Sequence, residues 1–514
     1  MNPKSLLHFR SGPIILPIGV HARRMQFFRS GVPIITAFVG LCGFYSTIFA
    51  AVGDPDPKFE PAVRCPENVA LAVQADGKIL LGGAPALDGK RIVGTKDTCS
   101  LLRLNPDGTL DKLMKVNANG LVSAILVLND DKILMGGSFT EVSGAAYLHL
   151  AKRHSDGSAD GFFHPNPNGN VNCMALQADG GILIGGEFSN VGGFPRKHIA
   201  RINAGGTIDV NFHPEVEGPV YSVAVQEDQK IMVGGKFTAV GGKKADGIAR
   251  LNPDGSMDME FKPVAVRGCI YSVAFQADGK ILIGGDFPAL NHLVRLKTTG
   301  EVDGTFSSRT SFIGNTVRSM AVQSDGKVLA GGGMVSRRPE KMQPGVNYLI
   351  SSAYVTLVKT DGHEASIFEK GNVEHNSPAV STVGLQADGQ ILVAGDPSGT
   401  HHGSRGYILR LSNEPAIQSL SIPDSTQVQW TRGGTAPEVS QVMFEVSTDG
   451  MRKWVAVGFG KRVGTTSDWQ ITGVSLPQRG VLRARGRTAN GGTGSGVIEQ
   501  VQNYAFDNAP KPGR

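Results

Sequence analysis

The residues of this chain whose types and spacing suit chemistry are few, and most fall in interruptions of a regular pattern. His401 and His402, adjacent in SGTHHGSRG, offer two imidazoles to a metal, but with no Cys or carboxylate nearby they make a poor ligand set. Arg337, Arg338 and Lys341 cluster around Glu340; they suit an acidic glycan or an anionic partner, or else form a plain solvated loop. Aspartates recur in a way that invites a calcium reading. Yet each is explained by a turn, and the residue after each double glycine drifts through Ser138, Glu187, Lys236, Asp286 and Gly333. A ligand set that includes Lys is not a repeated cation site. No Gly-rich phosphate loop follows a strand and opens a helix, and no Ser-His-Asp or Cys-His set can be nominated. The expectation is no catalytic residue, no metal and no cofactor, with Arg337, Arg338, Lys341, His401 and His402 as binding candidates. Of five cysteines, Cys65 and Cys99 fall in or beside the first repeat, where an exported protein can pair them. Cys173 and Cys269 sit at strand positions and read as buried thiols.

What positions these residues is a sevenfold repeat. Taking Gln74, Leu128, Gln177, Gln226, Gln276, Gln323 and Gln386 as markers, the separations are 54, 49, 49, 50, 47 and 63 residues. A period near 50 lies in the range of propeller blades. Each marker precedes the second of two small residues (Gly83, Gly137, Gly186, Gly235, Gly285, Gly332, Gly395) by nine positions, an invariance that a fixed hairpin produces. Its turn is Asp-Gly in five units, as at Asp76-Gly77 and Asp278-Gly279, which predicts a two-residue type I′ turn. The nearly continuous apolar runs on either side predict strands covered on both faces. A second hairpin follows, as in IARLNPDGSMDMEF at 248–261, so the expectation is a seven-bladed β-propeller of four-stranded antiparallel blades over 54–412. Phe163, Phe212, Phe261, Phe306 and Phe368 mark the fourth strands. Phe59 in DPDPKFEP has the same spacing to its marker with no third strand before it, while the seventh unit stops after its third strand. Residues 54–61 are therefore expected to supply the missing strand and close the ring.

The distance from the second small residue to the third-strand landmark (Arg103, Lys152, Arg201, Arg250, Arg295, Leu357, Arg410) is 20, 15, 15, 15, 10, 25 and 15 residues. From landmark to next marker it varies only from 25 to 29. Variation is thus concentrated on the rim opposite the Asp-Gly turns, and loops on a rigid scaffold carry function. That rim is the candidate binding face.

The chain has 514 residues, 68 of them Gly, with 7% aromatics, a composition of many short strands and tight turns. All three Trp (Trp430, Trp454, Trp469) lie in residues 414–506, whose alternating short strands predict a small β-sandwich. Residues 507–514 read as a polar tail. Residues 1–53 read as an export signal or N-terminal anchor: Arg23, Arg24 and Arg29 precede an apolar stretch, and Ala51-Val52-Gly53 is a small-x-small cleavage site. Met25 as the start would give a signal of common length, and a lipoprotein site at Cys42 is disfavoured by Leu41. The first 53 residues hold five basic and no acidic side chains, so the remainder of the formal +6 charge is 46 basic against 45 acidic. A nucleic-acid partner is not expected from that balance. Nor is a membrane span once the signal is removed.

The segments QADGKILLGG, GGKFTAVGG and IARLNPDGSMD resemble the delta-60 repeat, a bacterial, kelch-like propeller repeat of secreted and surface proteins. The Tyr and Trp that kelch repeats carry downstream are missing, and the absence of Trp disfavours WD repeats. The C-terminal section is similar to immunoglobulin or fibronectin type III-like modules. Ser447–Gly450 followed by Trp454 resembles the Asp-box of sialidase propellers, but Met451 replaces its Gly and the segment lies in the other domain. The resemblance implies no defined catalysis. The function expected is an exported, monomeric binding or adhesion scaffold at the cell surface, in the periplasm or outside the cell, for an unknown protein or glycan. The alternatives are a carbohydrate-active hydrolase or lyase, and a structural envelope protein with no discrete ligand.

Overall fold

The computed structural model describes residues 52–61, 70–83, 100–114, 116–307, 315–335, 350–370, 373–374, 379–396, 407–488, 490–491 and 494–506. The repeat forms a series of antiparallel sheets. Sheet 1 is Ala70–Val73, Ile79–Gly82 and Leu101–Leu104; sheet 2 is Val122–Val127, Ile133–Gly137 and Leu150–Arg153. Sheet 3 is Val171–Leu176, Ile182–Gly186 and Ile199–Ile202, and sheet 4 is Val220–Val225, Ile231–Gly235 and Ile248–Leu251. Sheet 5 is Cys269–Phe275, Ile281–Asp286 and Leu293–Leu296. Sheet 6 is Asn315–Val322, Val328–Val335, Ile350–Val358 and Glu364–Lys370, and sheet 7 is Ala379–Leu385, Ile391–Asp396 and Tyr407–Leu411. Apolar clusters fill the spaces between successive sheets, which is why the strands read as unbroken apolar runs. One such cluster joins Leu392, Ala394 and Ile408 of sheet 7 to Leu71, Leu81 and Leu102 of sheet 1.

The double glycines are a packing requirement. A Cβ on the first of each pair would stand 2.6 Å from Val220 Cγ1 at Gly185 and 2.6 Å from Val317 Cγ1 at Gly284, so glycine lets the next sheet's first strand close in. A Cβ on the second would stand 1.9 Å from the Asn170 carbonyl oxygen at Gly186, where the first strand bulges.

The Asp-Gly turns differ from the expected two-residue form. Gly77 N–H donates to the Gln74 carbonyl at 2.9 Å and Gln74 N–H to that of Lys78 at 2.8 Å, enclosing three residues. Only the glycine takes positive φ, +79° at Gly77 and +84° at Gly180. The preceding Asp stays at negative φ, where its Oδ1 accepts the N–H two residues on, as from Lys78 at 3.1 Å. That local bond selects a three-residue turn with a bulged glycine over type I′.

The fourth strand also departs from expectation. It forms a ladder in sheet 6, at Glu364–Lys370, but in sheets 1 to 5 it shrinks to single bridges such as Leu104↔Leu110 and Ile202↔Ile208. The cause is the next residue, an Asp whose Oδ1 again accepts the N–H two positions on, as from Asn211 to Asp209 at 2.9 Å, and turns the chain out of the sheet. Residues 52–61 do pair with the third strand of sheet 7: Pro55 bridges Leu411, Asp56 N–H donates to Arg410 O at 2.9 Å, and Ser412 N–H to Asp54 O at 2.8 Å.

After Leu411 come two four-stranded antiparallel sheets with one shared core. One orders Ala416–Asp424, Gln427–Gly434, Trp469–Thr472 and Lys461–Arg462; the other orders Val455–Phe459, Val439–Ser447, Arg479–Thr488 and Val497–Ala505. Trp430, Trp469, Phe444 and Leu482 are buried between them.

Candidate functional site

The two rims of the repeat region have different fates. The Asp-Gly rim carries the C-terminal module. Around the sheet 6 turn, Glu438 N–H donates to Val322 O at 2.7 Å, Ser324 N–H to Ala436 O at 2.8 Å and Asp325 N–H to Gly434 O at 3.0 Å. Across the rim, Arg487 donates to Val127 O at 2.6 Å and to Asn129 Oδ1 at 2.7 Å, and Arg485 bonds Asp131 and the Asn129 carbonyl. Burial, and then the like charge of Arg485, push the Arg487 guanidinium below its ordinary value. A cleft of about 660 Å³ runs along this seam, lined by Lys280, Ser324, Arg432 and Ser467 among others.

The module also reaches between the sheets. First strands of successive sheets lie side by side, so their inner edges face a central channel, where Val273 N–H donates to Ser222 Oγ at 3.1 Å and Val383 N–H to Ser319 Oγ at 3.2 Å, each acceptor belonging to the preceding sheet. The glycine-rich connection between Arg479–Thr488 and Val497–Ala505 enters it. Asn490–Gly491 pairs antiparallel with Ala321 and Met320 of sheet 6, and Gly494–Ser495 pairs parallel with Ile125 and Leu126 of sheet 2. A Cβ on Gly494 would stand 1.8 Å from Leu71 O, and one on Gly496 2.4 Å from Val73 O. Only glycine lets a backbone come this near to three sheets.

The opposite, variable rim carries short hairpins, Glu141–Val142 with Ala145–Ala146, Asn190–Val191 with Phe194–Pro195, and Ala239–Val240 with Lys243–Lys244. Arg337, Arg338, Lys341, His401, His402, Cys65 and Cys99 lie outside the described residues, as does the expected export signal up to residue 51. Three other histidines of this rim are framework. His149, His198 and His292 occupy one equivalent position at φ of +60°, +64° and +63°, and each Nδ1 lies within 3.3 Å of a glycine carbonyl, that of Gly137, Gly186 or Gly285.

At the channel's mouth on this rim is a set of residues that the sequence reading missed. In sheets 2 to 7 the first strand shifts register at one residue: Ser123, Asn172, Tyr221, Tyr271, Arg318 and Ser381. Each lies five positions before its marker, and a polar or aromatic residue recurring inside an apolar run was the available signal. The Tyr221 and Tyr271 rings are 5.5 Å apart. Burial, then the neighbouring Cys269 thiol, push the Tyr271 phenol up to about 12, with Arg318 acting in the opposite sense. The Cys269 thiol is free and half-buried, whereas Cys173 is buried and its thiol is pushed up by desolvation. Among the described residues no group of three or more His, Cys, Asp or Glu is placed to hold a metal.

The arginines among the third-strand landmarks turn out to be clamps. Arg201 donates to Asp209 at 2.7 Å, lies 4.7 Å over the Phe212 ring and donates to the Pro253 carbonyl of the next sheet at 2.6 Å. Arg250 does the same with Asp258, Phe261 and Thr298, and Arg295 with Asp303, Phe306 and Thr360. Arg410 of sheet 7 bonds Asp56 at 2.8 Å, lies 4.7 Å over Phe59 and donates to Pro106 O of sheet 1. For Asp303, burial works to raise the carboxyl, but hydrogen bonds from Thr305 and the Arg295 charge outweigh it and hold the group well below the carboxylate range.

Repeated radial sheets around a channel define the class: the chain is a β-propeller repeat protein. Six of its segments, 74–112, 128–162, 177–212, 226–261, 276–306 and 386–414, match the family described as a domain of unknown function (DUF5122) beta-propeller. No curated protein matches the chain in sequence. Among solved structures, the WD40 propeller domain of Doa1 is similar at 13% identity over 71% of this chain and 96% of its own, with a TM-score of 0.40. YCF48 bound to D1 peptide is similar at 11% identity, 70% and 100% coverage and a TM-score of 0.40. A gluconolactonase from Xanthomonas campestris is similar at 13% identity, 69% and 98% coverage and 0.34. No role passes from them to this chain. Among the described residues no helix is long and apolar enough to cross a membrane.

Proposed function

We propose that this protein is an exported, non-enzymatic binding scaffold: a seven-bladed propeller of the delta-60 type, closed by residues 54–61, with an immunoglobulin-like C-terminal sandwich. Its partner, a protein or a glycan, docks on the variable rim. The observation that supports this reading is the seating of the C-terminal module on the Asp-Gly rim, which among the described residues leaves the variable rim uncovered by it. The C-terminal module then serves as a base for the ring.

The test has two arms. Fractionation of producing cells, with N-terminal sequencing, is expected to find the mature chain outside the cytoplasm and starting near Asp54. Purified protein is then screened against a glycan array and an envelope extract, together with a variant whose exposed rim hairpin residues Lys243 and Lys244 are changed to Ser alongside Arg337→Ser and Arg338→Ser. Loss of capture by that variant supports the reading; capture that ignores it, or sustained polysaccharide turnover, overturns it.

A further inference from the structure

The plug changes what the central channel is. A propeller channel open at both ends passes a chain, whereas here the glycine-rich connection pairs with the first strands of sheets 2 and 6, so that among the described residues the channel is a blind well floored toward the Asp-Gly side. Its wall is asymmetric. Sheets 2 and 7 contribute the small Ser123 and Ser381 at the bulge position, while sheets 3 to 6 contribute Asn172, Tyr221, Tyr271 and Arg318. Among the described bulge positions the large side chains therefore fall on one side, which suits a ligand laid against them.

The chemistry of that side is specific. Tyr221 and Tyr271 are half-buried and adjacent, with ring planes inclined at 40°, so that they offer two neighbouring aromatic faces against which a sugar ring can pack. Beside them Arg318 is exposed, and among the described residues no carboxylate lies within ion-pair distance of it. Asp286 is 55% exposed at the same mouth, and the Asn172 amide lies 3.5 Å from the Val220 carbonyl. A patch for stacking, one guanidinium for a carboxylate, and an amide and an acid for hydroxyls match a pyranose that carries a carboxylate.

We propose that this blind well binds the terminal uronic-acid residue of an acidic polysaccharide, stacked on Tyr221 and Tyr271 with its carboxylate on Arg318. This rests on the open rim being the binding face. The glycan enters by its end, since the floor prevents threading.

The test titrates the full protein by calorimetry with short oligomers of galacturonate, mannuronate and glucuronate, and with neutral cello-oligomers as the comparison. At least one uronate oligomer is expected to bind with submillimolar affinity. Arg318→Gln should weaken it by about tenfold while leaving any neutral-sugar binding unchanged. Tyr221→Leu and Tyr271→Leu should weaken both, and Lys297→Gln on the opposite rim should do nothing. Circular dichroism melts show whether each variant is folded. Absence of binding by every uronate oligomer, or binding indifferent to Arg318→Gln in a folded variant, overturns the proposal. If that happens while hairpin-dependent capture of a protein or neutral glycan persists, the ligand class falls and the scaffold reading stands.

Discussion

Glycine is missing from two of the equivalent hairpin turns, and the two replacements have opposite reasons. Gln229 holds φ +65° and Asp131 holds φ +61°, a conformation that costs a side-chain-bearing residue about 1–2 kcal/mol. Nothing in the contacts of Gln229 offsets that cost: its amide meets only the Glu227 carbonyl and the Ala178 N–H, each at 3.4 Å. Gln229→Gly is expected to stabilise the protein by about 1 kcal/mol, read as a higher urea midpoint. Asp131 instead binds the nearly buried Arg485 of the C-terminal module. Asp131→Gly is expected to lower the midpoint despite the relieved backbone, because a charge-assisted bond worth about 1.5–3 kcal/mol is lost. The carboxylates that pair with the third-strand Arg or Lys belong to this scale as well, including Asp111, 2.9 Å from Arg103, and Asp160, 3.2 Å from Lys152. Asp56, Asp111, Asp160, Asp209, Asp258 and Asp303 all titrate below their ordinary value in the folded chain. A lowered folded pKa means stability that is complete above the unfolded value near 4 and is lost as pH falls through the folded values. The melting temperature should therefore vary little from about pH 7 to 5 on account of these groups and drop steeply below about pH 4, less steeply in Asp303→Asn.

The element on which closure between sheets 7 and 1 depends is the short segment 52–61. It rebuilds across the chain ends the same three-part clamp that Arg201, Arg250 and Arg295 make within it, with Asp56 and Phe59 standing where Asp209 and Phe212 stand in sheet 3. Phe59 is only 6% exposed and belongs to the cluster that joins sheets 7 and 1. Phe59→Ala is expected to cost about 3 kcal/mol and Asp56→Asn about 1.5–3 kcal/mol in chemical denaturation. Deleting residues 52–61 should lower the melting temperature far more than either; an unchanged melt would mean that the sheet 7–sheet 1 seam contributes nothing. This element was legible in the sequence because its Phe keeps the register of its cousins. The fixed nine-residue spacing likewise announced the hairpins. The clamp was half visible: Arg and Asp recur eight positions apart, as in Arg250 and Asp258, but the third partner is a carbonyl of the neighbouring sheet, and no local pattern encodes it. The reduced fourth strands were missed because turn-forming Asp and strand-ending Asp look alike until the backbone they cap is known.

At the scale of the molecule, the glycine-rich connection at 489–496 decides whether the propeller is a tube or a cup, and the sequence disguises it as one more hairpin turn. Its glycines have a different cause from those of the repeat. Gly77 or Gly180 supplies a positive φ in a solvent-facing turn, whereas Gly494 and Gly496 make room for the backbone of Leu71 and Val73. Gly494→Val should thus be severe where most loop substitutions are mild, since the contact is with backbone that cannot swing aside. The plug and the module's rim contacts form one unit, so withdrawal of the loop exposes the inner edges of Val122–Val127 and Asn315–Val322 to solvent. Hydrogen exchange reads this directly. In Gly494→Val the amides of 124–127 and 319–322 are expected to lose protection, while the hairpins Asn190–Val191 with Phe194–Pro195 on the far rim exchange as before. If the variant instead loses protection uniformly, the module is an inseparable part of one cooperative fold; if protection is unchanged at 124–127, the loop does not seal the channel and the well is a tube.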